Sequence, residues 1–303
     1  MHADQHIMTF LQAIIMGLLQ GISELFPISS LGHSVVLPQL VGWHSIVQAQ
    51  AAKQSFFLSF LVGLHVATAA ALFLFFWRDW VRIISALIRS IATRRIDNPD
   101  AKFGWLLVVA TIPAGLMGLA FEHLFRSLFA KPLAASIFLF INGIILVVGE
   151  RERQKSIERA YKAEINRTSS VMDEPNRTIT RLNFKEAGII GVAQVFALLA
   201  GISRSGITMV AGLVRGLSHE DAARFSFMLA TPIIAAAGLY KIPDIFSSAG
   251  VGVRPQILVG SIFAFIAAYV SVRFLVKYFK TNNLYPFAAY CLAVGSLLIV
   301  RFI

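Results

Sequence analysis

Glu24, Ser29, Ser30 and His33 crowd one short polar stretch, and Ser203, Arg204, Ser205 and Thr208 crowd another, each interrupting chain that is otherwise apolar. A carboxylate such as Glu24 at the end of an apolar run is costly enough to require a cavity and a partner. Gln20 stands one helical turn earlier on the same face, so the two side chains could hold a divalent cation through hard oxygen donors, with positions left for phosphate oxygens. A plainer role for Glu24 is to cap the helix that starts after Pro27. Ser29, Ser30, Gly32 and His33 lead into that helix, where free N–H groups and a positive dipole end favour an anion. A serine hydroxyl beside a histidine could also serve as nucleophile and base, although a Ser-Ser pair ahead of a helix is often only an N-cap.

The second stretch supplies positive charge. Arg204 offers a planar fork that matches phosphate, Ser203, Ser205 and Thr208 offer hydroxyls, and Gly201 and Gly206 allow backbone to approach a ligand. The competing reading is a structural ion pair between Arg204 and Glu24, which leaves the neighbouring hydroxyls without a task. Other polar residues on apolar runs, His65, Thr68 and Asn142, are explained by hydrogen bonds between helices. Glu122 and His123, at the end of one run, read as interfacial.

The elements that must position these groups belong to a membrane. Of 303 residues, 57% are apolar and only 14% charged, against roughly 25% charged in soluble domains. Ser55 to Trp77, Phe103 to Phe121, Leu133 to Gly149, Phe225 to Tyr240, Ile257 to Val272 and Leu284 to Val300 are nearly free of charge and approach the about 17 to 25 residues that cross a bilayer as helix. The formal charge of +11 does not indicate nucleic acid, because the basic residues flank apolar runs and fit the membrane surface. Cys291 is the single cysteine, which excludes an internal disulfide. Met1 to His6 lacks the basic start of a secretory signal, so the first segment is expected to stay on the protein.

The two polar breaks sit in shorter pieces. Residues 7–40 read as helix, polar turn and helix broken at Pro27, and residues 188–214 repeat the shape around Ser203–Arg204–Ser205–Gly206. At an offset of 174, Gln20 aligns with Gln194, Ile28 with Ile202, Ser29 with Ser203, Gly32 with Gly206 and Ser34 with Thr208. At an offset of 167, Ser59, Phe60, Ala69, Ala70 and Leu72 align with Ser226, Phe227, Ala236, Ala237 and Leu239, which favours duplication.

The expected architecture is therefore an all-α polytopic membrane protein with six transmembrane helices and two re-entrant helix-turn-helix hairpins. Residues 1–149 form the first repeat, 150–185 a polar cytoplasmic linker, partly helical or disordered, and 186–303 the second repeat. One hairpin plus three spans is an odd number of crossings, so the repeats have inverted topology. The loops at 78–102, 150–185, 215–224 and 273–280 then share one side with 20 of the 27 Lys and Arg, and the positive-inside rule makes that side cytoplasmic and both termini external. The glycosylation-like triplets at 166–168 and 176–178 fall on that inner side and carry no meaning there.

QGISELFPISSLGH at 20–33 and QVFALLAGISRSGIT at 194–208 resemble the two signature regions of undecaprenyl-diphosphate phosphatases of the bacitracin-resistance type. LHVATAAALFLFFWR at 64–78, ATIPAGLMGLAFE at 110–122 and FSFMLATPIIAAAG at 225–238 are similar to that family too. The resemblance implies a plasma (inner) membrane enzyme that removes the terminal phosphate of a C55 polyprenyl diphosphate, regenerates the carrier for peptidoglycan and confers bacitracin resistance. It points to Glu24, Ser30, His33, Ser203 and Arg204 as the active residues, assisted by magnesium or calcium. Gln20 stands where the family often has glutamate, and Leu31 and Ala200 stand where threonine and proline are expected. Membrane lipids are expected partners, and a homodimer is one assembly the chain allows. The rival reading is a secondary transporter or lipid flippase, since inverted repeats with broken helices are also a transporter design.

Overall fold

A computed structural model describes residues 8–51, 55–121, 131–165, 178–246 and 252–303. Glu122, His123, the first glycosylation-like triplet, Asn176 and Arg177 of the second, and with them residues 166–177 of the central linker, lie outside the described residues. The described chain is all-helical. Six helices are long and apolar enough to cross a membrane, and each coincides with an apolar run read from the sequence: Phe56–Phe75 (α4), Pro99–Ala120 (α6), the first part of Pro132–Ile165 (α7), His219–Phe246 (α10), Arg254–Tyr278 (α11) and Tyr285–Phe302 (α12).

Between these lie shorter helices. Phe10–Ser23 (α1) starts with a capping box in which the Thr9 hydroxyl accepts from the Gln12 amide while the Gln12 side chain accepts from Thr9 N–H at 2.8 Å. Its chain breaks ahead of Pro27 and resumes as Ser30–Leu40 (α2), capped by Ser29. Phe184–Val195 (α8) opens with the same device, built from Asn183 and Glu186, and Arg204–Val214 (α9) is capped by Ser203. Phe10 to Phe184, Ser30 to Arg204 and Leu40 to Val214 are each separated by 174 residues, so the helix bounds recur at the offset that aligned the sequence. Gly42 and Gly216, also 174 apart, end α2 and α9 with φ of 71° and 87°.

The two halves interleave. The helix α1 packs on α11 and α8 packs on α6, while α4 lies against α10 and α7 against α12. Close approach at equivalent positions makes this packing work: a Cβ on Gly17 would sit 2.3 Å from the Gly260 carbonyl oxygen, and one on Gly191 would sit 2.4 Å from that of Ala110. Small residues are what let membrane helices approach to backbone contact.

A stretch expected as a loop, and the linker expected to be partly helical or disordered, both carry helix. Residues 78–102 contain the amphipathic helix Trp77–Thr93 (α5), and α7 continues through the polar residues after Gly149 as far as Ile165. His44–Ala51 (α3) links α2 to α4. Polar sequence does not by itself end a helix when straight-chain residues such as Glu, Arg and Lys follow one another, as they do from Glu150 to Lys155.

Candidate functional site

The first turns of α2 and α9 meet in the interior, and the contact is made by the residues that cap them. Ser29 Oγ accepts from Gly32 N–H at 3.3 Å within its own helix and from Gly201 N–H at 3.1 Å across to the other tip. Ser29 holds φ 70°, an uncommon conformation for a side-chain-bearing residue, which places its hydroxyl between the tips. Asn142 of α7 ties the same two turns together, donating to Pro27 O at 2.9 Å while its carbonyl accepts from Ser203 N–H at 2.9 Å. Asn142 is therefore more than a generic bond between helices: it clamps both breaks.

Gly201 has φ 112°, and a Cβ there would lie 2.4 Å from Ala135 O. Gly201→Ala is expected to lower the melting temperature by several degrees and to cost at least tenfold in activity, since backbone cannot yield at both φ and contact. Wild-type melting and activity in that variant would contradict the tip geometry described here.

Charge concentrates on Glu24, which is only 8% exposed. Its Oε1 accepts from Arg204 Nη2 at 3.2 Å. Its Oε2 accepts from Ser30 Oγ at 2.5 Å and from Gln20 Nε2 at 3.2 Å, with His65 Nε2 at 3.6 Å. Arg204 also donates through Nη1 to Ser226 O at 3.3 Å, while its Nε–H has no hydrogen-bond partner among the described residues. The Gln20 Oε1 atom is likewise buried and unpartnered. Both atoms lie beside Glu24, and an unpartnered donor and acceptor there can each meet a ligand's polar atom.

The ion pair between Arg204 and Glu24 thus exists, and the hydroxyls beside it are occupied all the same. Ser203 Oγ accepts from Gly206 N–H at 3.1 Å, Ser205 Oγ donates to Phe26 O at 3.2 Å, and Thr208 Oγ1 donates to Arg204 O at 2.7 Å. These hydroxyls build the tips. Ser30 is the one whose proton is directed at a charged group.

Nor do Ser30 and His33 form a nucleophile–base pair. The Ser30 hydroxyl donates to Glu24, and His33 is held by two other groups: its Nδ1–H donates to Ser29 O at 2.7 Å, and its Nε2 accepts from Tyr290 OH at 2.8 Å. One carbonyl acceptor fixes the tautomer and thereby the direction of the second bond. Gly32, whose Cβ would lie 3.0 Å from Gly201 Cα, allows the tips to close; Gly206 lies against Leu146 and Pro27.

His65, which its sequence context explains as an ordinary interhelix residue, belongs to this site. Here its Nδ1–H donates to Leu61 O at 2.8 Å and its other nitrogen faces Glu24. The signal that could have found it was an ionisable side chain at membrane depth, which by default points to function. Tyr290 had no such signal, being a common residue near helix ends.

Comparison with known proteins places the chain. The family model described as "Bacitracin resistance protein BacA" matches residues 13–297. The chain is 49% identical to "Undecaprenyl-diphosphatase 2" of Frankia alni, covering 98% of this chain and 99% of that protein. It is 51% identical to "Undecaprenyl-diphosphatase" of Mycolicibacterium paratuberculosis over 95% and 96% of the two chains, and 41% identical to "Undecaprenyl-diphosphatase 2" of Chromobacterium violaceum over 95% and 97%.

Proposed function

This chain belongs to the bacitracin resistance protein BacA family, and from that premise we propose that it hydrolyses undecaprenyl diphosphate to undecaprenyl phosphate and inorganic phosphate in the membrane. It thereby recycles the lipid carrier for cell-wall synthesis and confers bacitracin resistance. The observation that carries the chemistry is the Ser30 hydroxyl donating to Glu24 while Arg204 binds the other carboxylate oxygen.

In the proposed reaction, Ser30 Oγ attacks the terminal phosphorus as its proton passes to Glu24. The bond from that phosphorus to the bridging oxygen breaks, and undecaprenyl phosphate leaves. Water then cleaves the phosphoserine, returning a proton to Ser30 and releasing phosphate. Arg204 neutralises charge on the transferred group through donors not committed to Glu24, its free Nε–H among them. Amides of the first turns of α2 and α9 add partial positive charge. Ser29, Gly32, Ser203, Ser205, Gly206 and Thr208 shape this anion site by holding the turns rather than by offering free hydroxyls. His33, one turn beyond Ser30, reaches the phosphate once its Nε2 takes up a proton and exchanges Tyr290 for a phosphoryl oxygen.

A divalent cation, magnesium or calcium, fits this site as an ion shared with substrate. Glu24, the unpartnered Oε1 of Gln20 and the Ser30 hydroxyl are hard donors, and among the described residues no cluster of three His, Cys, Asp or Glu provides a full protein cage. Such an ion supplies Lewis-acid polarisation of the phosphoryl oxygens when bound. Chelation is expected to lower phosphate release at least tenfold, and Gln20→Ala to raise the cation concentration needed for recovery; activity unchanged by chelator would remove the cation from the reaction.

The recurrence of helix bounds at 174 residues and the crosswise packing of α1 and α8 support two inverted repeats, 1–149 and 186–303, with α1–α2 and α8–α9 as re-entrant hairpins. Loops 78–102 and 150–185 then face the cytoplasm. Reporter fusions after residues 95 and 303 test this, and a reporter active on the same side at both positions would refute it.

The reaction is tested with Ser30→Ala in purified protein, by phosphate release from a polyprenyl diphosphate in detergent. A loss of about 10³-fold or more is expected for removal of a nucleophile. A variant as active as wild type would exclude Ser30, and a wild type that releases no phosphate would favour the carrier reading over the enzyme.

A further inference from the structure

Outside the site, the sequence of α5 sorts into three separate faces. At about 100° per residue, its side chains fall into stripes about 120° apart. Trp80, Ile83, Ala86 and Ser90 form the buried stripe, turned onto α6. Trp77, Val81, Ile84, Ile88 and Ile91 form a bare apolar stripe, between 43% and 63% exposed. Arg78, Arg82 and Arg89 form the third stripe, all exposed, and Arg94 and Arg95 follow at the C-terminal end, where cations favour the helix dipole.

The one acid on this helix, Asp79, is engaged by Arg82 and by Arg224 of α10 at 3.0 Å. Arg78 lies over the Trp77 ring at 5.4 Å, leaving Arg89 and Arg78 as charges not used by that acid. An apolar stripe beside a stripe of arginines, with tryptophan at one end, matches a helix lying in the interface plane with its apolar side in the acyl region and its cations among the headgroups.

We propose that α5 is a docking surface for anionic phospholipid, with the phosphates of a leaflet rich in phosphatidylglycerol seated on Arg78 and Arg89 and the acyl chains against the bare isoleucine stripe. The charge arrangement selects this occupant: a protein partner would bury the arginines against counter-charges, whereas a leaflet presents phosphate and hydrocarbon side by side in the order the stripes require. The surface is independent of the reaction proposed above.

Full-length protein is equilibrated with equal amounts of phosphatidylglycerol and phosphatidylcholine carrying the same acyl chains, and the lipids it retains are counted by native mass spectrometry. Wild type is expected to retain phosphatidylglycerol in preference, and R78Q/R89Q, which leaves the Arg82–Asp79 pair intact, to lose that preference by about fivefold per removed charge. R78K/R89K, which preserves charge, keeps it and shows that the chain folds with both positions substituted. Equal retention of the two lipids by wild type overturns the proposal, as does unaltered preference in R78Q/R89Q. A dimer that R78Q/R89Q dissociates, without bound phosphatidylglycerol, assigns the face to a second copy of the chain and overturns it too.

Discussion

Arg204→Ala is expected to abolish measurable phosphate release and to destabilise the protein at the same time. The guanidinium is 12% exposed and pairs with a carboxylate that is 8% exposed, so its removal leaves Glu24 as an uncompensated buried charge. Breaking such a pair from one side costs about 3 to 5 kcal/mol. The catalytic loss adds to this, because a preorganised donor to developing phosphoryl charge is worth roughly 10² to 10³ in rate. Arg204→Lys separates the two effects. Lysine restores a positive charge against Glu24 but cannot span Glu24 Oε1 and Ser226 O as the fork does, at 3.2 and 3.3 Å. The lysine variant is expected to regain most of the melting temperature and little of the rate. If instead both variants turned over substrate like wild type while melting early, Arg204 would be a structural partner of Glu24 and nothing more.

Glu24→Gln is the second large effect. Glutamine preserves shape and hydrogen-bonding capacity but cannot take the Ser30 proton, and it leaves Arg204 without its counter-charge. A general base contributes about 10² to 10⁴ in rate, so kcat is expected to fall by at least 10³-fold once the lost nucleophile activation and the misplaced guanidinium combine. KM should move less, since the amides of both tips still meet the diphosphate. His65, 3.6 Å from Oε2, contacts substrate only through Glu24 in this scheme, so His65→Ala should cost less than Glu24→Gln and nothing further in the double variant. A Glu24→Gln protein with wild-type kcat would remove the carboxylate from the reaction altogether.

Much of this was legible in the residues themselves. Six long apolar runs can only be buried in hydrocarbon as helices, because a helix satisfies its backbone internally. The first short helix ends ahead of Pro27, although Pro38, Pro113 and Pro232 are carried inside helices, and the Thr9–Gln12 and Asn183–Glu186 boxes start two helices at positions 174 residues apart. A carboxylate, a serine pair and an arginine in apolar chain pointed to a charged, phosphate-sized site, and family membership agrees with that chemistry.

The partners of each group were decided by packing. Sequence spacing suggested Ser30 with His33, because the two are neighbours on one helix turn; the fold turns the Ser30 hydroxyl toward Glu24 and gives His33 to Tyr290, which is 257 residues away. It also brings His65 to Glu24 and places Asn142 between both tips, contacts across long stretches of chain that leave no local pattern. Hydroxyls that looked available for a ligand became caps, since the N–H groups of two closely opposed helix ends need acceptors before any substrate arrives.

The two polar breaks show the division most plainly. By itself the sequence determined which residues stand at each break, because helix caps and the cost of charge in hydrocarbon act within a few residues, as proline does at the first break. Only the tertiary structure decided that the breaks face each other, with Arg204 on one oxygen of Glu24 and Ser30 on the other. That outcome depends on Gly201 and Gly32 letting two backbones approach and on Asn142 clamping both turns, and such long-range packing is a property of the assembled helices rather than of any segment.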